Sequence, residues 1–347
     1  MKIAIIGVGH WGPNIVRNLM ADPRLEVVVC DTDVERVAIL TKNYRHLSVT
    51  SCVDDIFSDK QIDAAIVCTP TVTHYALTKR LLECGKHVFV EKPMATRASE
   101  CEDLIRIADK MNRKLMVGHV FMFNTGVRYV KGLIDKGELG DILYLCSTRV
   151  NLGPVRKDVN ALWDLAPHDI SIFNLWLGGL PTAVSARGLR YLNPSLHDIV
   201  FASLWYPCQI LVNLHVSWLD PRKVRQIVVV GSKKMVVFDD LDPMGAVHIY
   251  DKTAKSVSDP ALLQESIQAY KVLIQDGDLV IPKLKTEEPL KVECQAFLDW
   301  LFEDKKPICR AEQGLAVVQV LEALDQSLTC SGINIELTSS QQTKLAA

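Results

Sequence analysis

The chain has 347 residues, 48% of them hydrophobic and 23% charged, with a formal net charge of -2. That length exceeds one ordinary core and suits two domains. The balanced charge offers no basic face for nucleic acid, and no run approaches the roughly 18 apolar residues that a membrane span requires.

In chain order, KIAIIGVG at the start reads as a strand, and the segment from Pro13 to Met20 as a helix with Ile15, Val16, Leu19 and Met20 on one face. LEVVVCD (25–31) is a second strand, and a short one follows near Leu47–Thr50. DAAIVCTP (63–70), HVFVEKP (87–93) and KLMVGH (114–119) continue the strand series, with helices expected from His74 to Cys84 and from Ser99 to Met111. Continuous Val/Ile runs alternating with helical segments predict a parallel, doubly wound sheet buried on both faces.

Beyond about residue 120 the pattern changes. A helix is expected over Phe123–Lys136, a strand over 142–152 and a helix over Asp164–Leu177. Five strand-like runs then follow with no room for crossover helices, so this sheet is expected to be mostly antiparallel. Helices near Val292–Glu303 and Gln313–Leu328 close the chain. The fold class is therefore α/β: a dinucleotide-binding Rossmann domain over 1–120 and a substrate-binding and oligomerisation α+β domain over 121–347. MKIAIIGVG is too short for a secretory leader and ends in a glycine loop. The ten cysteines form no C-x-x-C pair and read as reduced thiols. Both features place the protein in the cytoplasm.

Three clusters carry chemistry. Gly7-Val8-Gly9-His10-Trp11-Gly12 is a G-x-G-x-x-G run between the first strand and the first helix. Glycines there allow a tight turn and close approach of backbone to a pyrophosphate, which the helix N-terminus then meets with unpaired N–H groups. Asp31 lies 19 residues after Gly12, at the end of the second strand. A carboxylate there accepts hydrogen bonds from ribose hydroxyls and repels a 2′-phosphate, which favours NAD over NADP. Glu91-Lys92-Pro93 ends a parallel strand, where open α/β sheets bind ligands. Asp164 and His168, four apart on a helix, share a face and suit proton transfer. On spacing alone, a solvated lysine, a capping aspartate and an incidental histidine remain equal readings.

GVGHWG at 7–12, CTPTVTH at 68–74, EKP at 91–93 and DLAPHD at 164–169 together resemble the glucose–fructose oxidoreductase / inositol dehydrogenase (Gfo/Idh/MocA) family over nearly the whole chain. The resemblance implies a catalytic trio of Lys92, Asp164 and His168, with His168 as base, Lys92 holding the reacting hydroxyl and Asp164 orienting both. It implies that Thr69, Pro70, Thr73 and His74 run along the cofactor with Glu91, Lys92 and Pro93, with His74 structural rather than catalytic. Asn124 and Arg149 are expected to reach substrate, and Trp163 to line the site. Where the family usually has glycine before the catalytic histidine, this chain has Ala166 and Pro167. That APHD variant is similar to sugar-nucleotide members, including 3-dehydrogenases of UDP-N-acetylglucosamine or its uronic acid. Arg149, Arg156, Lys157, Arg222 and Lys223 are candidate diphosphate cations.

The function implied is NAD-dependent oxidation of a sugar carbinol. A 3-ketoreductase, a polyol dehydrogenase of inositol type and a non-catalytic dinucleotide sensor are the rivals. Direct hydride transfer requires no metal, and none is expected. An apolar face on the antiparallel sheet predicts a homodimer or homotetramer.

Overall fold

The computed structural model describes residues 1–44, 47–256 and 272–337. The end of the second expected domain, 338–347, lies outside the described residues.

Six strands form the first sheet: β1 (Lys2–Ile6), β2 (Glu26–Cys30), β3 (Ser48–Thr50), β4 (Ile62–Val67), β5 (His87–Glu91) and β6 (Leu115–Gly118). Their order is β3-β2-β1-β4-β5-β6, and every pairing is parallel. The order reverses between β1 and β4, which opens a crevice at the carboxyl ends of those strands. Helices α1 (Gly12–Met20), α2 (Val34–Asn43), α3 (Val53–Ser58), α4 (His74–Glu83) and α5 (Ala98–Met111) connect the strands. Helices α2 and α3 were not expected. Helix α2 buries only Leu40, so its apolar periodicity is weak, and the Asp33 side chain caps it by accepting from the Glu35 and Arg36 N–H groups.

Nine strands form the second sheet. These are β7 (Ile142–Leu152), β8 (Ala183–Leu189), β9 (Ile199–Tyr206), β10 (Ile210–Ser217), β11 (Leu219–Gly231), β12 (Met235–Asp239), β13 (Val247–Ser256), β14 (Val272–Val280) and β15 (Ile335–Glu336). Their order is β14-β13-β12-β11-β7-β10-β9-β8-β15. The sheet is antiparallel, as the turn spacing predicts, except where β10 lies parallel to β7. Helices α6 (Thr125–Asp135) and α7 (Ala161–Leu177) cover one face, and Val127, Val130, Leu162, Phe173 and Trp176 join its core.

Two helix starts differ from expectation, each because an asparagine caps. Helix α7 begins at Ala161, three residues before Asp164, because the Asn160 side chain accepts from the Trp163 N–H at 3.0 Å. The helix expected from Phe123 breaks at Asn124, which accepts from the Gly126 and Val127 N–H groups. Residues Val120–Phe123 form a separate 3₁₀ turn before it.

The last two helices return to the first sheet. Helix α8 (Pro289–Glu303) buries Leu290, Cys294, Phe297 and Leu298 in one core with Ile5, Ile15, Phe89 and Met116. Helix α9 (Ala311–Thr329) straddles both: Ala311, Leu315 and Val318 pack with the first sheet, while Val317, Val320 and Leu324 pack with the second. Gly314 allows this approach. A Cβ there would fall 2.6 Å from Val117 Cγ2 and 3.3 Å from Met94 Cβ. Gly314→Ala should therefore cost about 1–3 kcal/mol through overpacking, read as a drop in thermal midpoint. An unchanged midpoint would mean that α9 is not held against β6.

Candidate active site

The glycine loop sits at the strand-order reversal. Gly7 has φ +92°, and a Cβ on it would lie 2.8 Å from the Cys68 carbonyl oxygen. A Cβ on Gly12 would lie 2.4 Å from the Gly7 carbonyl oxygen. Neither position admits a side chain. Gly9 faces open space except for the Arg36 guanidinium tip at 3.4 Å. Helix α1 starts there with Pro13 in its first turn, no side-chain cap and no acidic residue. Its amino end is free to meet an anion, so the loop fits a dinucleotide pyrophosphate. His10 and Trp11 stand exposed at the loop tip.

Asp31 braces this loop. One oxygen accepts from the Val8 N–H at 2.7 Å and the other from the Asp33 N–H at 2.8 Å. Each carboxylate oxygen keeps a lone pair for a ribose hydroxyl. Arg36 pairs with Asp33 at 2.9 Å.

Across the crevice, the Thr69 and Thr73 hydroxyls meet at 2.6 Å after β4, with Pro70 exposed between them. His74 is buried with one ring nitrogen 2.8 Å from the Pro93 carbonyl oxygen and the other 2.8 Å from that of Thr69. Burial pushes His74 down in pKa. A neutral imidazole has one N–H, so it donates to one carbonyl at a time. His74 thus ties the loop after β4 to Pro93, whose peptide bond with Lys92 is cis.

Lys92 leaves β5 and reaches the second domain: its Nζ donates to the backbone carbonyl of Asp164 at 3.0 Å. Pro167, inside α7, cannot donate to the carbonyl four residues back and crowds it. The carbonyl left without that donor is Trp163's, one residue before the Asp164 carbonyl that the lysine reaches. Burial lowers the Lys92 pKa, and the charges of Asp164 and Glu91 oppose that shift. The Asp164 carboxylate turns elsewhere: one oxygen faces Arg156 at 3.3 Å and the other accepts from the Trp218 indole N–H at 3.1 Å. His168 has its Nδ1 sealed from solvent without a hydrogen-bond partner among the described residues. Its pKa is pushed well down, first by burial and then by Lys92 and Arg149. His168 is therefore neutral near neutral pH, with one ring nitrogen left as an acceptor.

Two of the expected substrate contacts also carry structural bonds. Asn124 is the cap of α6. Arg149 is buried and forms a two-bond ion pair with Asp169, both at 2.8 Å. Its guanidinium lies 4.6 Å from the centre of the Phe121 ring, which packs in turn against His168 at 5.0 Å. Arg149 is thus a support behind the histidine. Trp163 is partly buried between the two cores. Of the candidate diphosphate cations, Arg156 reaches the site through Asp164, whereas Arg222 and Lys223 are exposed on β11.

Several site residues were missed. Trp218 is buried, and its indole N–H holds the Asp164 carboxylate. His119 is buried with neither ring nitrogen partnered among the described residues, and burial lowers its pKa to about 3. Arg225, paired with Asp240 at 3.4 Å, lines a cavity of about 210 Å³ with Trp11, Phe121 and Asn124. No local motif signals these residues, because long-range folding alone gathers them.

Residues 1–119 match the oxidoreductase family with an NAD-binding Rossmann fold, and residues 127–237 match the GFO/IDH/MocA C-terminal domain. The oxidoreductase YdgJ from Escherichia coli is 30% identical over 255 residues, covering 70% of this chain and 72% of that protein. The chain belongs to the GFO/IDH/MocA oxidoreductase family. Its amino-terminal domain binds NAD. YrbE from Bacillus subtilis, another oxidoreductase, is 27% identical over 201 residues, and the match spans 56% of this chain and 59% of YrbE. UDP-N-acetylglucosamine 3-dehydrogenase from Acidithiobacillus ferrooxidans is 26% identical over 273 residues, covering 78% of this chain and 84% of that enzyme. A solved structure of UDP-N-acetylglucosamine 3-dehydrogenase GnnA from that organism superposes with TM-score 0.77 at 23% identity, over 95% of this chain and 98% of GnnA. GenD2 from gentamicin A biosynthesis, solved with NAD, superposes with TM-score 0.80 at 21% identity over 98% and 97% of the two chains. These superpositions establish the shared fold.

The ion pair behind His168 is testable. Asp169→Ala leaves Arg149 charged, buried and unpaired, and should cost about 3–5 kcal/mol. Joining Arg149→Met to Asp169→Leu should recover most of that, measured by urea midpoints. An equal loss in the double variant would remove the ion pair as the cause.

Proposed function

We propose that this protein oxidises a secondary hydroxyl of a sugar with NAD, and that the substrate is a UDP-N-acetylhexosamine or its uronic acid, attacked at the 3-hydroxyl. The observation that carries the chemistry is the convergence of Lys92 on the opening turns of α7, where neutral His168 projects beside it. His168 accepts the hydroxyl proton. Lys92 holds the same oxygen and stabilises the charge it gains. Asp164, fixed by Trp218, keeps the lysine's approach and draws Arg156 to the mouth of the crevice. Bound NAD supplies the hydride acceptor. The sugar-nucleotide reading is supported by the relative from Acidithiobacillus ferrooxidans, which matches 78% of this chain. An inositol 2-dehydrogenase from Salmonella paratyphi B matches 51%. Arg156 is the cation nearest to hand for a diphosphate.

Assembly follows from the second sheet. Tyr144 on β7, Leu211 on β10 and Phe201 on β9 are exposed on the face away from α7. An apolar face of this kind marks an interface, and two copies pair through it. Light scattering should return a dimer or tetramer. A stable monomer at micromolar concentration would refute the pairing.

The chemical roles are tested by Lys92→Ala and His168→Asn. Each should lower kcat by about 10²–10⁴-fold, with Lys92→Ala near the top of that range. NAD affinity by titration should stay near wild type, since the glycine loop and Asp31 hold the far end of the cofactor. Lys92→Arg should rescue little, because a planar fork does not replace a compact ammonium. Turnover should fall on the alkaline side below the pH at which an exposed lysine titrates, since burial lowers Lys92. Near wild-type turnover in both variants would make these residues structural.

A further inference from the structure

Glu91 belongs to the cofactor-side strand end, but its carboxyl has a neighbour that the proposed mechanism does not use. Glu293, on α8, is fully buried, and neither of its carboxyl oxygens has a hydrogen-bond partner among the described residues. Oε1 of Glu91 is likewise sealed and unpartnered, while Oε2 accepts from the Lys92 backbone N–H at 3.2 Å.

The register of β5 against α8 brings these groups together. Phe89 and Phe297 pack edge to face, with ring centres 5.6 Å apart. Two residues along β5 from Phe89, on the same face and roughly 6.6 Å further, stands Glu91. One turn back from Phe297, on the same stripe of α8 and about 6 Å away, stands Glu293. The two carboxyls interact electrostatically, so both steps run in the same direction. Gly118, paired with Glu91 on β6, leaves the space: a Cβ there would lie 3.0 Å from the Glu91 carboxyl.

We propose that Glu293 is a protonated carboxylic acid that donates a hydrogen bond to the Glu91 carboxylate and so positions Glu91 beside Lys92. The inference rests on the reading of Lys92 given above and adds a positioning residue to it. Carboxylates only accept, so one proton between the two groups would satisfy the partnerless oxygens, Oε1 of Glu91 and those of Glu293. Two carboxyls that interact in a buried site disfavour ionising together. The proton belongs on Glu293. Burial raises both groups, but the Lys92 charge, the Lys92 backbone N–H and the Trp11 side chain all favour the charged form of Glu91, and nothing comparable favours that of Glu293. The other titratable groups around the pair are the thiols of Cys68, Cys294 and Cys309, each raised chiefly by burial. Among the described residues no three His, Cys, Asp or Glu side chains are arranged to hold a metal ion. A hydrogen-bonded acid pair remains as the arrangement that satisfies both carboxyls.

Two measurements test this on the full-length protein. In D₂O near neutral pH, the infrared spectrum should contain the carbonyl stretch of a buried protonated acid, and the wild type minus Glu293→Gln difference should show that band lost. The second is the pH profile of kcat/KM with NAD on the sugar nucleotide that is turned over. Glu293→Gln keeps an N–H donor and should retain the wild-type acid limb. Glu293→Leu removes the donor, so Glu91 should lose its charge earlier on acidification. Its acid limb should move up by about one pH unit, which is tenfold in kcat/KM at the foot of the limb. A merely structural Glu293 would not separate Gln from Leu in this way. If the difference spectrum has no acid band, or if Gln and Leu share one pH profile, the proposal is overturned. If the acid band is lost but no sugar is turned over, the functional reading fails and the acid pair stands. Should the Leu variant not fold, the infrared comparison with Gln decides.

Discussion

An ammonium brought into a dry crevice has to be met by acceptors, and Lys92 meets that requirement across the boundary between the two sheets. It starts at the end of β5 and ends on a backbone carbonyl of α7. Around it, the cationic and anionic groups are interleaved: Glu91 below, Asp164 with Arg156 above, Arg149 with Asp169 behind His168, and Arg225 with Asp240 at the cavity. Three of these groups are direct ion pairs, and the ammonium itself is met by a backbone carbonyl. Burial disfavours the His168 imidazolium first, and Lys92, Arg149 and Arg225 add to that effect, so near neutrality the ring keeps one N–H and one acceptor nitrogen. In the proposed reaction, a base has to start unprotonated at its acceptor nitrogen, and a nearby lysine would lower the energy of the oxygen left behind.

Much of the fold was legible because its signals are local. The G-x-G-x-x-G turn, the Val/Ile strands and the change to turn-spaced strands past residue 120 each depend on a few adjacent residues. The glycines illustrate this well, since Gly7 and Gly12 sit where a Cβ has no room. Helix α2 was illegible for the opposite reason: it is mostly exposed, so nothing in its pattern of apolar residues separates it from a loop. Helix starts were displaced wherever an asparagine took up capping, because a cap depends on side-chain direction rather than on periodicity.

The site was legible in its ends and not in its supports. Lys92 and His168 stand in short motifs with evident chemistry. Arg149 looked like a free cation beside a substrate pocket, but Asp169 lies 20 positions downstream, and only the folding of α7 over β7 brings the two together. Trp218 likewise reads as one more apolar residue until its indole N–H is seen on Asp164, 54 positions upstream. Charge alone does not distinguish a ligand-seeking arginine from one already satisfied.

The closing helices make the two sheets act as one frame. Helices α8 and α9 follow β14 in sequence, yet Phe297 and Leu315 lie in the cores of the first sheet. The chain therefore crosses the crevice and returns, so that the strand end bearing Glu91, Lys92 and Pro93 is buttressed from behind by a late segment of the chain. The Val117 N–H donates to the Cys309 carbonyl at 3.1 Å, fastening β6 to the stretch between α8 and α9. A lysine reaching between two bodies that shift independently would lose its alignment with His168, and a misplacement of about 1 Å can cost 10²-fold in rate. Folding the last helices back onto the first sheet ties the strand end that bears Lys92 to the frame that carries α7.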